Sequence, residues 1–251
     1  MKTLFKFMLS AVLLTGLSCN TDNSYADMDQ ANAKIVMASK AGTSNPFDYL
    51  GELHNNFMTD MHNLKPSKDK IPDLALNFVT ENGYEYDTSV FNSNTVSEIM
   101  NESMTSEFTE EKIDELGKRF QYSDEYKKEL HKLSSFFNAD SYENTNDIVN
   151  QLNEIEASYL QSKLSEKEKD QLLATIAIAR HSADYWISFY PNDSNSNTVA
   201  SNRIRWWARI FGGIVADTMG AVIGLAGGPV GAVIGGVAAS AGVQTLVDDN
   251  L

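Results

Sequence analysis

Two histidines, His54 and His62, stand eight residues apart and so fall on roughly one face of a helix, with Asp48, Glu52 and Asp60 close by in sequence. Imidazole and carboxylate together are metal-ligand types. A helical site, however, wants ligands four apart or supplied from elsewhere, and no His-Glu-x-x-His pattern occurs. A metal-dependent hydrolase built on His54 and His62 is therefore carried only as a third hypothesis. His131 and His181 stand singly on helical segments, where a structural role is the ordinary one. There is no Gly-x-Ser-x-Gly elbow, no phosphate loop and no dinucleotide fingerprint. Paired carboxylates abound, but with 34 acidic against 20 basic residues their presence discriminates nothing. The chain reads as a protein that is not an enzyme, with no catalytic residue, no metal and no cofactor expected.

The remaining reactive side chain is Cys19, the single cysteine. It follows a secretory signal over residues 1–18, in which Lys2 and Lys6 form the basic start and Phe7 to Leu17 an apolar segment too short for a permanent span. Its position resembles a lipoprotein cleavage site, which implies acylation of the thiol. Thr15-Gly16-Leu17-Ser18-Cys19 departs from that pattern, since Gly16 holds the place usually given to leucine. Cleavage after Ser24-Tyr25-Ala26 is the competing reading. In both cases the mature chain is exported and can form no internal disulfide.

A second kind of chemistry lies in the tail, where ten of the fifteen glycines fall after Arg209 and Thr218 to Val247 carries no charge. The unit GAVIG occurs at Gly220 and again at Gly231. Between the copies, Gly227-Gly228-Pro229 stops one helix and starts another. Gly220, Gly224 and Gly228 recur every fourth residue, and Gly231 and Gly235 repeat the spacing. In an exposed helix each glycine costs about 1 kcal/mol relative to alanine, so close approach of a facing helix must offset them. The expectation is a helical hairpin over residues 202–251 with these five glycines as its packing face. The tail resembles glycine-zipper membrane segments and the helices of two-peptide bacteriocins, which implies a packing mode more than an activity.

Asp217 divides the readings of this hairpin. A membrane span needs about 20 apolar residues, and Asp217 would sit near the middle of the first arm at a cost of about 2.5 to 3.5 kcal/mol. An inserted hairpin would turn it to a polar lumen or partner. In a soluble core it would pair with a nearby base such as Arg209 or Arg205, or face water. Arg203, Arg205, Trp206, Trp207 and Arg209 fit a membrane-interface anchor. The same rings could equally glue the hairpin to the rest of the chain, as could Trp186.

The elements before the tail read as helices. Residues 19–45 form a lipid tether and N-terminal segment, with a candidate helix from Met28 to Ala41. Asn45 caps and Pro46 opens a helix whose Phe47, Leu50, Leu53, Phe57, Met61 and Leu64 recur at three and four. Lys65-Pro66 ends it. Further helices are expected at Pro72 to Asn82, Asn94 to Met104, Glu110 to Phe120 behind Thr109, Asp124 to Phe137 behind Ser123, and Asp147 to Gln161. A Ser165–Glu168 capping box opens the longest one, which runs to Tyr190. Tyr84 to Phe91 is irregular or extended. These make an acidic helical bundle over residues 46–190, followed by a polar linker at 191–201.

The net charge of −14 becomes −16 without the two signal lysines, and the tail from Ser201 is neutral. All the excess acid lies between Cys19 and Ala200, which speaks for solubility and against nucleic acid as a partner. The run Asn45-Pro46-Phe47-Asp48-Tyr49-Leu50-Gly51-Glu52-Leu53-His54-Asn55, with the lipoprotein start and the glycine tail, resembles uncharacterised exported lipoproteins of Bacteroidota. That resemblance implies a cell-envelope address, at the outer membrane or cell surface, and no chemistry. The expectation is an all-α, envelope-associated protein, tethered to membrane lipid at Cys19. Its hairpin inserts into a membrane or assembles with copies of itself as a homo-oligomer, in the manner of a toxin or bacteriocin. The alternative is a surface-exposed binding or scaffold lipoprotein whose hairpin completes a soluble core.

Overall fold

The computed structural model describes residues 45–138, 145–189 and 200–248 (the side chains of 200–208 and 247–248 excepted). The described residues form nine α-helices and no strand: α1 Asp48–Leu64, α2 Ile71–Glu81, α3 Ser93–Thr105, α4 Glu110–Phe120, α5 Asp124–Phe137, α6 Thr145–Leu160, α7 Glu166–Phe189, α8 Ala200–Gly224 and α9 Gly228–Asp248. The signal segment, Cys19, the tether, the candidate helix at Met28 to Ala41 and residues 191–199 lie outside the described residues.

Local chemistry sets the helix ends. Thr109 Oγ1 accepts from the Lys112 amide at 3.2 Å and Ser123 Oγ from the Tyr126 amide at 3.1 Å, as their positions predict. Asn92 Oδ1 takes two amides, of Asn94 and Thr95, and so places the start of α3 one residue before the expected one. The start of α1 differs in kind. Asn45 Oδ1 accepts from the Phe47 amide at 2.9 Å in a side-chain turn, and the helix begins two residues after Pro46, at Asp48. The amide group of Asn45 is thereby free to donate to the Leu173 carbonyl of α7 at 2.9 Å. Residues 84–92 are irregular apart from a short turn, as expected.

The layers follow from which faces are apolar. Helices α1, α2 and α3 bury one stripe each, such as Leu50, Leu53, Phe57 and Met61 on α1 and Val96, Ile99 and Met100 on α3. Helix α7 is buried nearly all round from Gln171 to Ala179, and α9 is buried on every face from Val230 to Gly242. A helix apolar all round must be central. Accordingly α8 and α9 pack on each other, α9 also lies against α1, α2, α3 and α7, and α8 lies against α3 and α7. Helices α4, α5 and α6 form an outer group, with α6 on α7. Each buried valine or isoleucine of α9 (Val230, Val233, Ile234, Val237) contributes about 1.5–3 kcal/mol when removed from water.

One continuous core cluster joins residues of α1 to α7 with residues of α8 and α9. The expected boundary at 191–201 therefore separates no second core. The stripes of α1, α2 and α3 need an apolar partner, and the hairpin is that partner.

Candidate functional site: a buried polar cluster between the hairpin and its shell

The two arms of the hairpin meet at paired glycines. A Cβ on Gly220 would collide with the carbonyl of Gly235, and one on Gly235 with the carbonyl of Gly220. Gly224 and Gly231 stand in the same mutual relation. The helices are thus backbone against backbone, closer than any side chain permits. Four of the five predicted packing glycines take this role. Gly228 does not: it sits at φ 80°, ψ −171°, a conformation open to glycine alone, and turns the chain between the arms before Pro229. The tip is closed by Phe91 from the irregular segment, whose ring occupies the space a side chain on Gly227 or Gly231 would need.

Around the middle of α8 lies a cluster that the sequence did not disclose. Asp217 is fully buried. Its Oδ2 accepts from Ser182 Oγ at 2.5 Å, Trp186 Nε1 at 2.9 Å and Ser240 Oγ at 2.9 Å. His54 Nε2 stands 3.3 Å from the same oxygen, without hydrogen-bond alignment. Residues from α1, α7, α8 and α9 thus converge on one carboxylate. Burying a carboxylate is costly unless donors reach it; three neutral donors serve Oδ2 here with the imidazole beside it, while Oδ1 is buried without a hydrogen-bond partner among the described residues. The residues that meet it stand 163, 35 and 23 positions away, beyond the reach of helix-neighbour reasoning, in place of the expected Arg209; the side chain of Arg205 lies outside the described residues.

The geometry of this cluster is that of a fastening. Ser182, His54 and Asp217 are residue types of nucleophilic catalysis, but the Ser182 hydroxyl is committed to the carboxylate rather than to the imidazole, and all three are 0 % exposed. A substrate would have no route to them in this conformation. Trp186 doubles as packing, since its indole fills the space beside Gly213 of α8. It accordingly glues α7 to the hairpin.

His62 does not join His54. Its Nδ1 lies 3.2 Å from Gln244 Nε2 of α9, and its ring meets Phe189 edge-on at 4.9 Å. Among the described residues no three histidine, cysteine or acidic side chains are grouped to hold a metal ion. His181 Nε2 and Arg180 Nη1 both contact Asp48 Oδ1 at 3.1 Å, and Arg180 Nη1 also reaches Glu156 Oε2 at 2.9 Å. This second, half-buried cluster ties α7 to α1 and α6. Elsewhere Tyr122 donates to the Val222 carbonyl of α8 at 3.2 Å. Burial pushes its phenol above the usual range, with Arg119 opposing, so it stays a donor.

Of the predicted interface residues, Arg203, Arg205, Trp206 and Trp207 lie on the first turns of α8, and Arg209 is half-buried at the point where the apolar stretch begins. Arg209–Leu246 is long and apolar enough to cross a membrane by length and composition, yet 89 % of its most apolar stretch is buried within the protein. Comparison with known proteins finds no matching family model, no matching curated protein and no matching solved structure.

Proposed function

We propose that the chain is an exported, lipid-tethered helical protein of the cell envelope, which keeps its glycine hairpin as the core of a water-soluble acidic body and works by binding or scaffolding through that body. One observation carries this reading. The Asp217 carboxylate, the costliest group to bury, draws donors from the shell (Ser182 and Trp186 of α7) as well as from the hairpin (Ser240). Pulling the hairpin out would strip it of both shell donors and of the His54 contact. A hairpin destined for lipid gains nothing from such ties; a soluble core does.

A second reading, in which the hairpin leaves the shell to enter a bilayer or pair with another copy, has an observation of its own. The Gly220–Gly235 and Gly224–Gly231 contacts and the Ser240–Asp217 hydrogen bond are internal to the hairpin and would survive its transfer. Flotation separates the two. The full chain bearing Cys19→Ser, so that no acyl group contributes, is mixed with liposomes and centrifuged through a density step, with planar-bilayer recording alongside. The first reading expects protein at the bottom and a silent bilayer. Protein rising with the vesicles, or channel events altered by Asp217→Asn, would replace it with the second.

A further inference from the structure

The Asn55 side chain fixes the protonation of His54. Asn55 Nδ2 donates to the His181 carbonyl at 2.8 Å, and a carbonyl can only accept, so the amide cannot be reversed. Its Oδ1 must then face His54 Nδ1, which lies 2.9 Å away. An acceptor opposite Nδ1 requires a proton on Nδ1. A neutral imidazole with its proton there has a bare lone pair on Nε2. That lone pair would point into the neighbourhood of Asp217 Oδ2, 3.3 Å off, with both side chains fully buried. Two acceptors held at that distance without water between them repel. A second proton, on Nε2, turns the same contact into attraction.

We infer that His54 is held as an imidazolium and forms a buried ion pair with the Asp217 carboxylate, a charged rivet between α1 and the hairpin. The inference rests on the soluble-core reading above and deepens it, since only in that fold do the two residues meet. Desolvating two charges is expensive, and hydrogen bonds to the two ions offset part of that cost. Here Asn55 serves the cation, and Ser182, Ser240 and Trp186 serve Oδ2 of the anion, while Oδ1 is buried without a hydrogen-bond partner among the described residues.

Other charges are placed elsewhere. On α1, Asp48 faces Arg180 and His181, Glu52 is exposed, and His62 meets Gln244. On α7, Asp184 belongs to the Arg180, His181 and Asp48 group. Helix α9 carries no charged residue between Gly228 and Val247, and α8 offers Arg209 two turns before Asp217. Asp217 is the carboxylate that faces His54.

The test reads the ring nitrogens directly. The full chain is labelled with ¹⁵N-histidine, and long-range ¹H–¹⁵N spectra are recorded at about pH 8, above the titration of a free imidazole. His54→Gln assigns the signal. Should that variant fail to fold, His62→Gln, His131→Gln and His181→Gln assign it by elimination, the chain having four histidines. Both nitrogens of His54 are expected to carry protons in the wild type. In Asp217→Asn the Nε2 proton should be lost while Nδ1 keeps its own. A wild-type His54 with one bare ring nitrogen overturns the inference whatever the variants do. Flotation of the protein alongside a doubly protonated His54 in the lipid-free protein would sink the scaffold function and leave the lipid-free fold, with its rivet, standing.

Discussion

At the scale of single residues, the glycines of the tail are not equivalent, and substitution should sort them. Gly224 and Gly231 each face the other's backbone carbonyl, which cannot swing aside as a side chain can. Gly224→Ala or Gly231→Ala should therefore lose roughly 1–3 kcal/mol as an overpacked contact does, read as a lowered urea midpoint. Gly212, on the same helix, is exposed and has nothing within 4 Å of a Cβ. Gly212→Ala should leave the fold intact and raise its stability by up to about 1 kcal/mol through helix propensity. Equal effects at all three positions would mean that backbone contact is not what the glycines are for. The four-residue spacing made the pairs legible in advance. It misplaced Gly228, because periodicity counts a turn glycine as though the helix ran on.

Among elements, the joint between α3 and α4 shows how charge adds to packing. Glu102 on α3 receives Arg119 Nη1 at 2.8 Å and Lys112 Nζ at 2.9 Å from α4. Burial by itself would raise the Glu102 carboxyl, but the two cations more than offset it and hold the group below the ordinary carboxylate range. A depressed value means the pair stabilises the fold above about pH 4.3, the ordinary glutamate value, and that this is lost as pH falls through the folded value. Glu102→Gln should accordingly be less stable than wild type at neutral pH and lose less on acidification. Urea midpoints from pH 7 to 3 that run parallel for the two proteins would remove the joint from the account. Thr109 at the start of α4 is a companion case: Thr109→Ala frees the Lys112 amide and should cost about 1 kcal/mol. Caps and stripes of this kind are written in adjacent residues, which is why the seven helices before the tail could be anticipated to within a residue or two.

For the whole molecule, the sequence left open what the apolar tail lies against, because bilayer and protein interior ask for the same composition. The answer sits in contacts between distant residues: Asp217 with His54 and Ser182, Phe91 with the hairpin tip, Trp186 with Gly213. None has a signature in local spacing. The envelope address is tested at the other end of the chain, where Cys19 lies outside the described residues. A clickable palmitate analogue should label the wild-type protein in cells and miss Cys19→Ser, and equal labelling of both would refute the tether.

The position of the hairpin in the chain has a consequence for how the protein is made. Helices α1 to α7 are synthesised before α8 and α9, yet much of the surface that covers α1, α2 and α3 belongs to those two. The apolar stripes that α1, α2 and α3 turn toward the hairpin stay uncovered until those last helices are synthesised, so that layer of the core closes late. For a chain exported as proposed, that delay would help keep it threadable. It also makes the core a checkpoint on completeness: a product cut short before α9 loses the cover of the α1, α2 and α3 stripes rather than a mere tail, and would expose them to proteases.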